Sequence, residues 1–297
     1  MNSRKKITMF DFAIYVLVFL ITLIIAYPLY YCIIASLSDP TDLAAGRVLF
    51  TIKGFTIDAY KYIISNNAIW RGYGLSIVYT FLGTLYNLVL TIPLAYALSK
   101  KYLPFGNFLK YYFFVTMYFG GGLIPTYLTM KSYGLVNNPL IMVVGAGVSC
   151  FNMIVARRYF MTSIPEELYE AASIDGASEW RKFTSIALPC CKPITAVLAL
   201  YYGTEHWNGF YKALIYLNGE PKWQPLQLVI RKIVNQTITA QTAGGSVEEV
   251  GQMLYLTQLA TSMKFAVVFI ASAPLIIAFP FVVKHFTAGM FVGAVKA

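Results

Sequence analysis

Ser163-Ile-Pro-Glu-Glu-Leu-Tyr-Glu-Ala-Ala-Ser-Ile-Asp-Gly-Ala-Ser-Glu-Trp-Arg-Lys-Phe-Thr-Ser-Ile-Ala-Leu-Pro189 is a polar interlude between apolar stretches, and it reads as two short helices with a hinge. Ser163 can cap the first helix, Pro165 suits its opening turn, and Glu166 completes a capping box. Gly176 can end it, because glycine alone turns there cheaply with positive φ. Ser178 caps the second helix, whose Trp180, Phe183 and Ala187 recur at helical spacing, and Pro189 closes the loop. Leu168, Ala171 and Ala172 give the first helix a narrow, shallow apolar face, and small residues let a helix sink into a groove on another protein. A helix lying on lipid shows larger apolar residues and a basic face, whereas Glu166, Glu167, Glu170 and Asp175 crowd this one. Docking to a partner is the better of the two readings.

Outward from the loop, the chain belongs in a membrane. Of 297 residues, 58% are hydrophobic and 12% charged, with mean hydropathy +0.62. That excludes a water-soluble globule, a disordered chain and a disulfide-stapled secreted domain. A net charge of +10 on so apolar a chain reads as topology and lipid contact, not nucleic acid. No charged residue occurs between Asp11 and Asp39, Arg71 and Lys100, Lys110 and Lys131, Lys131 and Arg157, or Lys264 and Lys284. Each gap holds about 19 residues or more, enough to cross a ~30 Å hydrocarbon core as helix. A further apolar stretch, 193–217, carries Glu205, His206 and Lys212. The expected fold is an all-α membrane protein, a single transmembrane domain over 1–297 with six transmembrane helices. The spans fall at about 12–38, 72–99, 111–130, 135–156, 193–217 and 265–283, with the loop 163–189 between the fourth and fifth. Ten-residue segments of alternating polarity, the mark of an outer-membrane barrel, are absent.

Arg4, Lys5 and Lys6 precede an apolar run about twice the length of a signal-peptide core, so the first span is expected to be retained. The Lys/Arg bias puts the N-terminal arm, the 100–110 loop, the 157–192 loop and the C-terminal tail in the cytoplasm. An even number of spans brings both termini there. The long outer loops are then 38–70 and 218–263, the second expected to fold partly on the surface around its apolar stretch 226–230. Cys32, Cys150, Cys190 and Cys191 stand in no zinc spacing. They read first as small buried apolar groups, with a vicinal redox pair or palmitoylation as the other readings.

Glu170-Ala171-Ala172, three residues, Gly176, nine residues, Ile186, one residue and Leu188-Pro189 resembles the EAA loop of binding-protein-dependent ABC importer permeases, with every named position matched. Trp207-Asn208, Gln224-Pro225-Leu226-Gln227-Leu228 and the tail Gly289-Met-Phe-Val-Gly-Ala-Val-Lys296 are similar to the carbohydrate-uptake, maltose-type class. The resemblance runs from about the second span to the C-terminus. It implies a type I importer fold in a prokaryotic plasma membrane, with a second permease subunit, two cytosolic ATPase subunits and an extracellular solute-binding protein. It also implies that Glu170, Ala171, Ala172, Gly176, Ile186, Leu188 and Pro189 couple to the ATPase. Gly293, Ala294, Val295, Lys296 and Ala297 would reach the ATPase interface, the alternative being an amphipathic end lying on the membrane. The implied cargo is an oligosaccharide or a polysaccharide fragment such as aldouronate, rhamnogalacturonan or alginate pieces.

No catalytic or metal-binding residue is expected. The chain has no Gly-Lys dipeptide for a Walker A loop, no HExxH or GxSxG, and only His206 and His285 as histidines. ATP and Mg would therefore be bound by partner subunits. An ion-coupled secondary transporter is the alternative, but it needs several ionisable or unwound midplane sites, and Glu205 is the single intramembrane carboxylate. A carboxylate facing lipid costs at least ~2.5 kcal/mol, so Glu205, with His206, Trp207 and Asn208, is expected to face the translocation path. A hydrogen-bonded cluster that only holds helices together is the competing reading of the same four residues.

Overall fold

The computed structural model describes residues 8–239, 255, 258–277 and 280, and among them every regular element is a helix. Among the described residues, three helices are long and apolar enough to cross a membrane: Met9–Ser36 (α1), Asn67–Ser99 (α2) and Gln258–Ile277. A fourth crossing results if Glu179–Cys190 and Lys192–Trp207, bent by 76°, count as one span. A capping box opens α1, where Thr8 accepts from the Asp11 N–H at 3.3 Å and Asp11 accepts from the Thr8 N–H at 2.9 Å. Only Ile34, Ala35 and Ser36 of α1 are buried. Phe12, Leu17, Phe19 and Ile24 stand exposed, as a lipid-facing surface requires.

The charge gaps 111–130 and 135–156 do not hold single long helices. The first is divided into Gly106–Tyr118 and Leu123–Ser132 at Gly120-Gly121-Gly122, where Gly122 has φ +84°. Successive glycines lose the most backbone entropy in a helix and add nothing to pack, so the helix yields there. The second begins with left-handed Gly134 and Asn137, holds the four-residue Ile141–Val144, and resumes as α3 (Cys150–Ser163), capped by Ser149. Arg157 and Arg158 lie within α3 and do not end it. The stretch 193–217 breaks at Asn208-Gly209, and the described helix Gln258–Ile277 already includes residues ahead of Lys264.

The chain forms two compact units, Met1–Ile69 with Ile230–Ala273, and Trp70–Val229 with Pro274–Ala297. In the first, Ile34, Ala35, Leu43 and Val48 form a small core with Tyr31 and Phe265. The stretch 38–70 folds there into Pro40–Ala44, capped by Asp39, and Asp58–Ser65. In the second, Ile92, Ala95 and Leu98 of α2 share a core with Met153, Ala156 and Phe160 of α3, and with Phe183, Ala187, Leu198 and Tyr202. Ala95, Ala156 and Ala187 are fully buried, letting helix backbones approach closely. The Tyr202 hydroxyl accepts from the Ser149 N–H at 3.1 Å and shares a hydrogen with Thr91 at 2.7 Å. Arg157 donates to the Leu98 carbonyl at 2.8 Å, one of the acceptors left open at the end of α2. A second core of Tyr79, Met142, Leu217 and Leu228 draws the apolar 226–230 stretch inward.

Candidate functional site

The first loop helix, α4 (Glu166–Ile174), starts directly after Pro165 with no side-chain cap. Ser163 is the last residue of α3 and not the cap expected of it. The orphan N–H groups of α4 face Glu166 and Glu167 in its first turn, whose charges favour that end. At the other end Asp175 N–H reaches Ala171 O at 3.1 Å, Ala177 N–H reaches Ala172 O at 2.9 Å, and Gly176 turns with φ +72°. Ser178 accepts from the Arg181 N–H at 3.3 Å and caps α5 (Glu179–Lys182). Pro189 does not close the loop. Helical backbone continues through a π-type turn, Phe183–Ala187, and Leu188–Cys190, then bends at Cys191 into α6 (Lys192–Trp207). The widened turn lies just ahead of Pro189, whose ring and missing N–H disturb the α ladder there.

No residue of α4 is buried. Glu170, Ala171 and Gly176 are exposed, Ala172 is half-buried, and Ile174 is left 87% exposed. Leu188 and Pro189 are exposed as well, while Ile186 packs against the main core. Cys190 is exposed and Cys191 buried; Cys32 and Cys150 are half-buried.

The three residues after α2 grip this loop. Lys100 Nζ lies 3.0 Å from the centroid of the Tyr169 ring and 4.7 Å from that of Tyr96. Lys101 pairs with Glu166 at 3.3 Å. Tyr102 donates to Glu179 at 2.5 Å, and the same carboxylate takes Lys182 at 2.7 Å. Tyr96 packs in turn on Phe183 at 5.1 Å and edge-on to Phe160 at 5.8 Å. Burial brings the Lys100 ammonium down to about 8, which leaves it charged at neutral pH. Burial pushes the Tyr169 hydroxyl up to about 12. For Glu179 burial works upward, but hydrogen bonds from Lys182 and Tyr102 outweigh it and hold the carboxyl below its ordinary range. These gripping residues fall outside the EAA pattern, and the lysines carried only topological meaning in the sequence.

The four residues at the far end of α6 divide. His206 is buried, with Nε2 2.7 Å from Asn87 Oδ1, and the Asn87 amide donates to the Ala146 and Gly147 carbonyls at 2.5 Å each. Its ring lies so close to Gly83 that any Cβ there would run into it. Trp207, also buried, meets Tyr73 edge-on at 5.7 Å. Glu205 and Asn208 are exposed and line an open cleft with Leu200, Tyr201, Thr204 and Leu275. An adjoining, largely apolar cleft of about 520 Å³ runs along Ile77, Phe81, Thr84 and Trp207. So the imidazole and indole pack helices together, while the carboxylate and amide face open space. Asn87 escaped the sequence reading, although a lone amide in an apolar run is itself a signal of interhelical bonding. The tail residues Gly293, Ala294, Val295, Lys296 and Ala297 lie outside the described residues.

Residues 66–292 match the family described as binding-protein-dependent transport system inner membrane component. Protein LplC of Bacillus subtilis (strain 168) is 37% identical over 91% of this chain and 88% of its own. The polygalacturonan/rhamnogalacturonan transport system permease protein YtcP of the same bacterium is 32% identical over 98% of this chain and 99% of its own. The crystal structure of a bacterial ABC transporter involved in the import of the acidic polysaccharide alginate contains a chain that aligns with a TM-score of 0.82 and 28% identity, over 96% of this chain and 99% of that one. The helical fold is thus that of a type I ABC importer permease. The family match takes in α2, the 163–189 loop and α6 together, and the chain belongs to the inner membrane components of binding-protein-dependent transport systems.

Proposed function

We propose that this chain is the permease subunit of an ATP-driven carbohydrate importer, forming half of the translocation path and docking a cytosolic ATPase through its 163–189 loop. The observation that carries the reading is the loop's construction. Its first helix has no buried residue and ends on left-handed Gly176, yet its root is held by Lys100, Lys101 and Tyr102. A helix bare at the tip and fixed at the root is suited to sit in a groove of another protein. Glu170, Ala171, Ala172 and Gly176 form the docking end, and Ile186, Leu188 and Pro189 lead back into the membrane.

The chain crosses the membrane six times with both ends in the cytoplasm, as one domain. The third and fourth crossings use the broken helices, which a bilayer tolerates where the open backbone is buried in protein or lines a cavity. Glu205 and Asn208 border the path, and the tail 293–297 reaches toward the ATPases. The partners are a second permease chain, two ATPases that hold ATP and Mg, and an extracellular binding protein, in a prokaryotic plasma membrane. Relatives named for polygalacturonan, rhamnogalacturonan and alginate support an oligosaccharide or polysaccharide fragment as cargo. Closure of the ATPase pair on ATP moves the docked loop, and the bundle turns outward. Each state must be favoured by different contacts, since equal affinity for both shifts nothing.

The test is uptake of a panel of labelled oligosaccharides into proteoliposomes holding the full complex. Accumulation should require both ATP and the binding protein. Uptake driven by an ion gradient without ATP would establish a secondary transporter instead.

A further inference from the structure

We propose that Lys100-Lys101-Tyr102 is a clamp that fixes both helices of the loop to the end of α2, so that force arriving at the loop is delivered to the helix bundle. The inference rests on the coupling reading of the loop, but it concerns transmission and not docking. Three successive side chains leave the end of one long helix and reach three separate points of the loop. Lys100 sits over the Tyr169 ring in the middle of α4, Lys101 reaches Glu166 at its start, and Tyr102 reaches Glu179 at the start of α5.

The three grips are unequal. Lys101 and Glu166 are 82% and 69% exposed at the side chain, so their pair is a surface contact of small weight. Lys182, which shares Glu179 with Tyr102, has a side chain only 11% exposed, while Glu179 itself is 49% exposed, so this contact is screened somewhat less than the first. Lys100 has aromatic rings of two elements within 5 Å, Tyr96 below it on α2 and Tyr169 above it on α4. Between these residues and Glu170 lies a recess of about 250 Å³, so α4 does not rest on a continuous apolar core. Tyr169 is the point where α4 meets the main core, its ring 6.1 Å from that of Tyr96, and polar grips hold the rest of the helix. Such contacts break and reform between two arrangements more readily than a packed core does, which suits a joint carrying load in one state and yielding in another.

Lys100 and Tyr102 are accordingly positioning residues. The test compares Lys100→Met, Lys100→Arg and Tyr102→Phe in the full reconstituted complex, each carrying a cysteine at Ala171 for cross-linking to the ATPase. Lys100→Met should keep the cross-link and hydrolyse ATP at a comparable rate, while sugar imported per ATP falls about tenfold; Lys100→Arg, which stays charged over the ring, should recover much of it. Unchanged sugar per ATP in Lys100→Met would overturn the clamp. Should Lys100→Met fail to assemble, Tyr102→Phe decides: it removes one hydroxyl, and a lower ratio supports the clamp while an unchanged ratio overturns it. Absence of the cross-link in the parent complex would instead sink the coupling reading of the loop.

Discussion

Substitution of Gly176 separates two demands on the loop, a backbone turn and a bare docking surface. At φ +72° an L side chain enters the left-handed region at a cost of ~1–2 kcal/mol. Asparagine tolerates that region best, alanine less well, and a β-branched residue worst. A Cβ added at Gly176 meets no atom of the chain within 4 Å, so no internal clash adds to the strain. If strain is the whole effect, the fraction of loops in the docking shape falls by roughly 5- to 30-fold, following the usual conversion of 1–2 kcal/mol. Uptake should then rank Gly176→Asn, Gly176→Ala, Gly176→Val in descending order. If Gly176 must also lie flat against the ATPase, Asn fails about as badly as Val. The assay is co-purification of the ATPase followed by ATP-dependent uptake in proteoliposomes. A Gly176→Val complex that holds its ATPase and imports at the wild-type rate refutes the coupling role outright.

Glu205→Gln and Asn208→Ala, both at exposed positions, should lower uptake several-fold at unchanged complex yield, and a drop in yield would point to packing instead. His206→Ala leaves Asn87 without one partner at about 1–3 kcal/mol, and Trp207→Ala opens a buried void at about 3–5 kcal/mol. Both should lower the thermal midpoint of the purified complex, Trp207→Ala the more; an unshifted midpoint contradicts their packing role. Lys100 faces Tyr96 on α2, Glu166 and Tyr169 on α4, and Glu179 and Lys182 on α5, and burial takes its ammonium from 10.5 to about 8. The clamp needs the charged form over the Tyr169 ring, so sugar imported per ATP should fall as pH rises through about 8 in wild type and stay flat in Lys100→Arg; parallel profiles reject the assignment.

How far the sequence reached depends on what kind of signal each feature leaves. The existence of α1 and α2 and the C-terminal end of α2 at Ser99 were legible because long charge-free runs are local facts, whereas the Thr8 cap of α1 and the start of α2 at Asn67 escaped the sequence reading. Gly176 and Ser178 were legible for the same reason: a positive-φ turn and a side-chain cap are set within three or four residues. Where charge gaps suggest continuous helix, Gly120-Gly121-Gly122 and Gly134 to Ser149 interrupt it, since hydropathy registers what lipid accepts and is blind to backbone breaks. Ser163 looked like a cap, but its helical partner lay upstream, and α3 claimed it. The division of Glu205 and Asn208 from His206 and Trp207 follows from which face of α6 meets Asn87 and Tyr73. That is decided by residues more than a hundred positions away, and the local pattern carries no trace of it.

The connections between α2 and α6 determine what motion of the loop can accomplish. Along their shared length the two helices are joined at Asn87 with His206 and at Thr91 with Tyr202. Further down, Tyr96 meets Phe183, and Tyr102 meets Glu179. Ala95, Ala156 and Ala187, all fully buried, bring α3 into the same block. A helix fastened at both ends cannot pivot alone, because each fastening would have to give before the far end moved. On the proposed coupling role, a push on the loop would therefore turn α2, α3 and α6 together. At 1.5 Å per residue, Glu205 lies roughly 21 Å along α6 from Cys191, so a rotation of about 10° carries it by ~4 Å. Displacement of that size at the exposed face, with none inside the block, opens or closes a cleft against whatever lies opposite while the His206 and Tyr202 bonds stay intact. The buried polar bridges keep the block rigid, and the exposed residues at its far end are the ones that such a rotation moves relative to their surroundings.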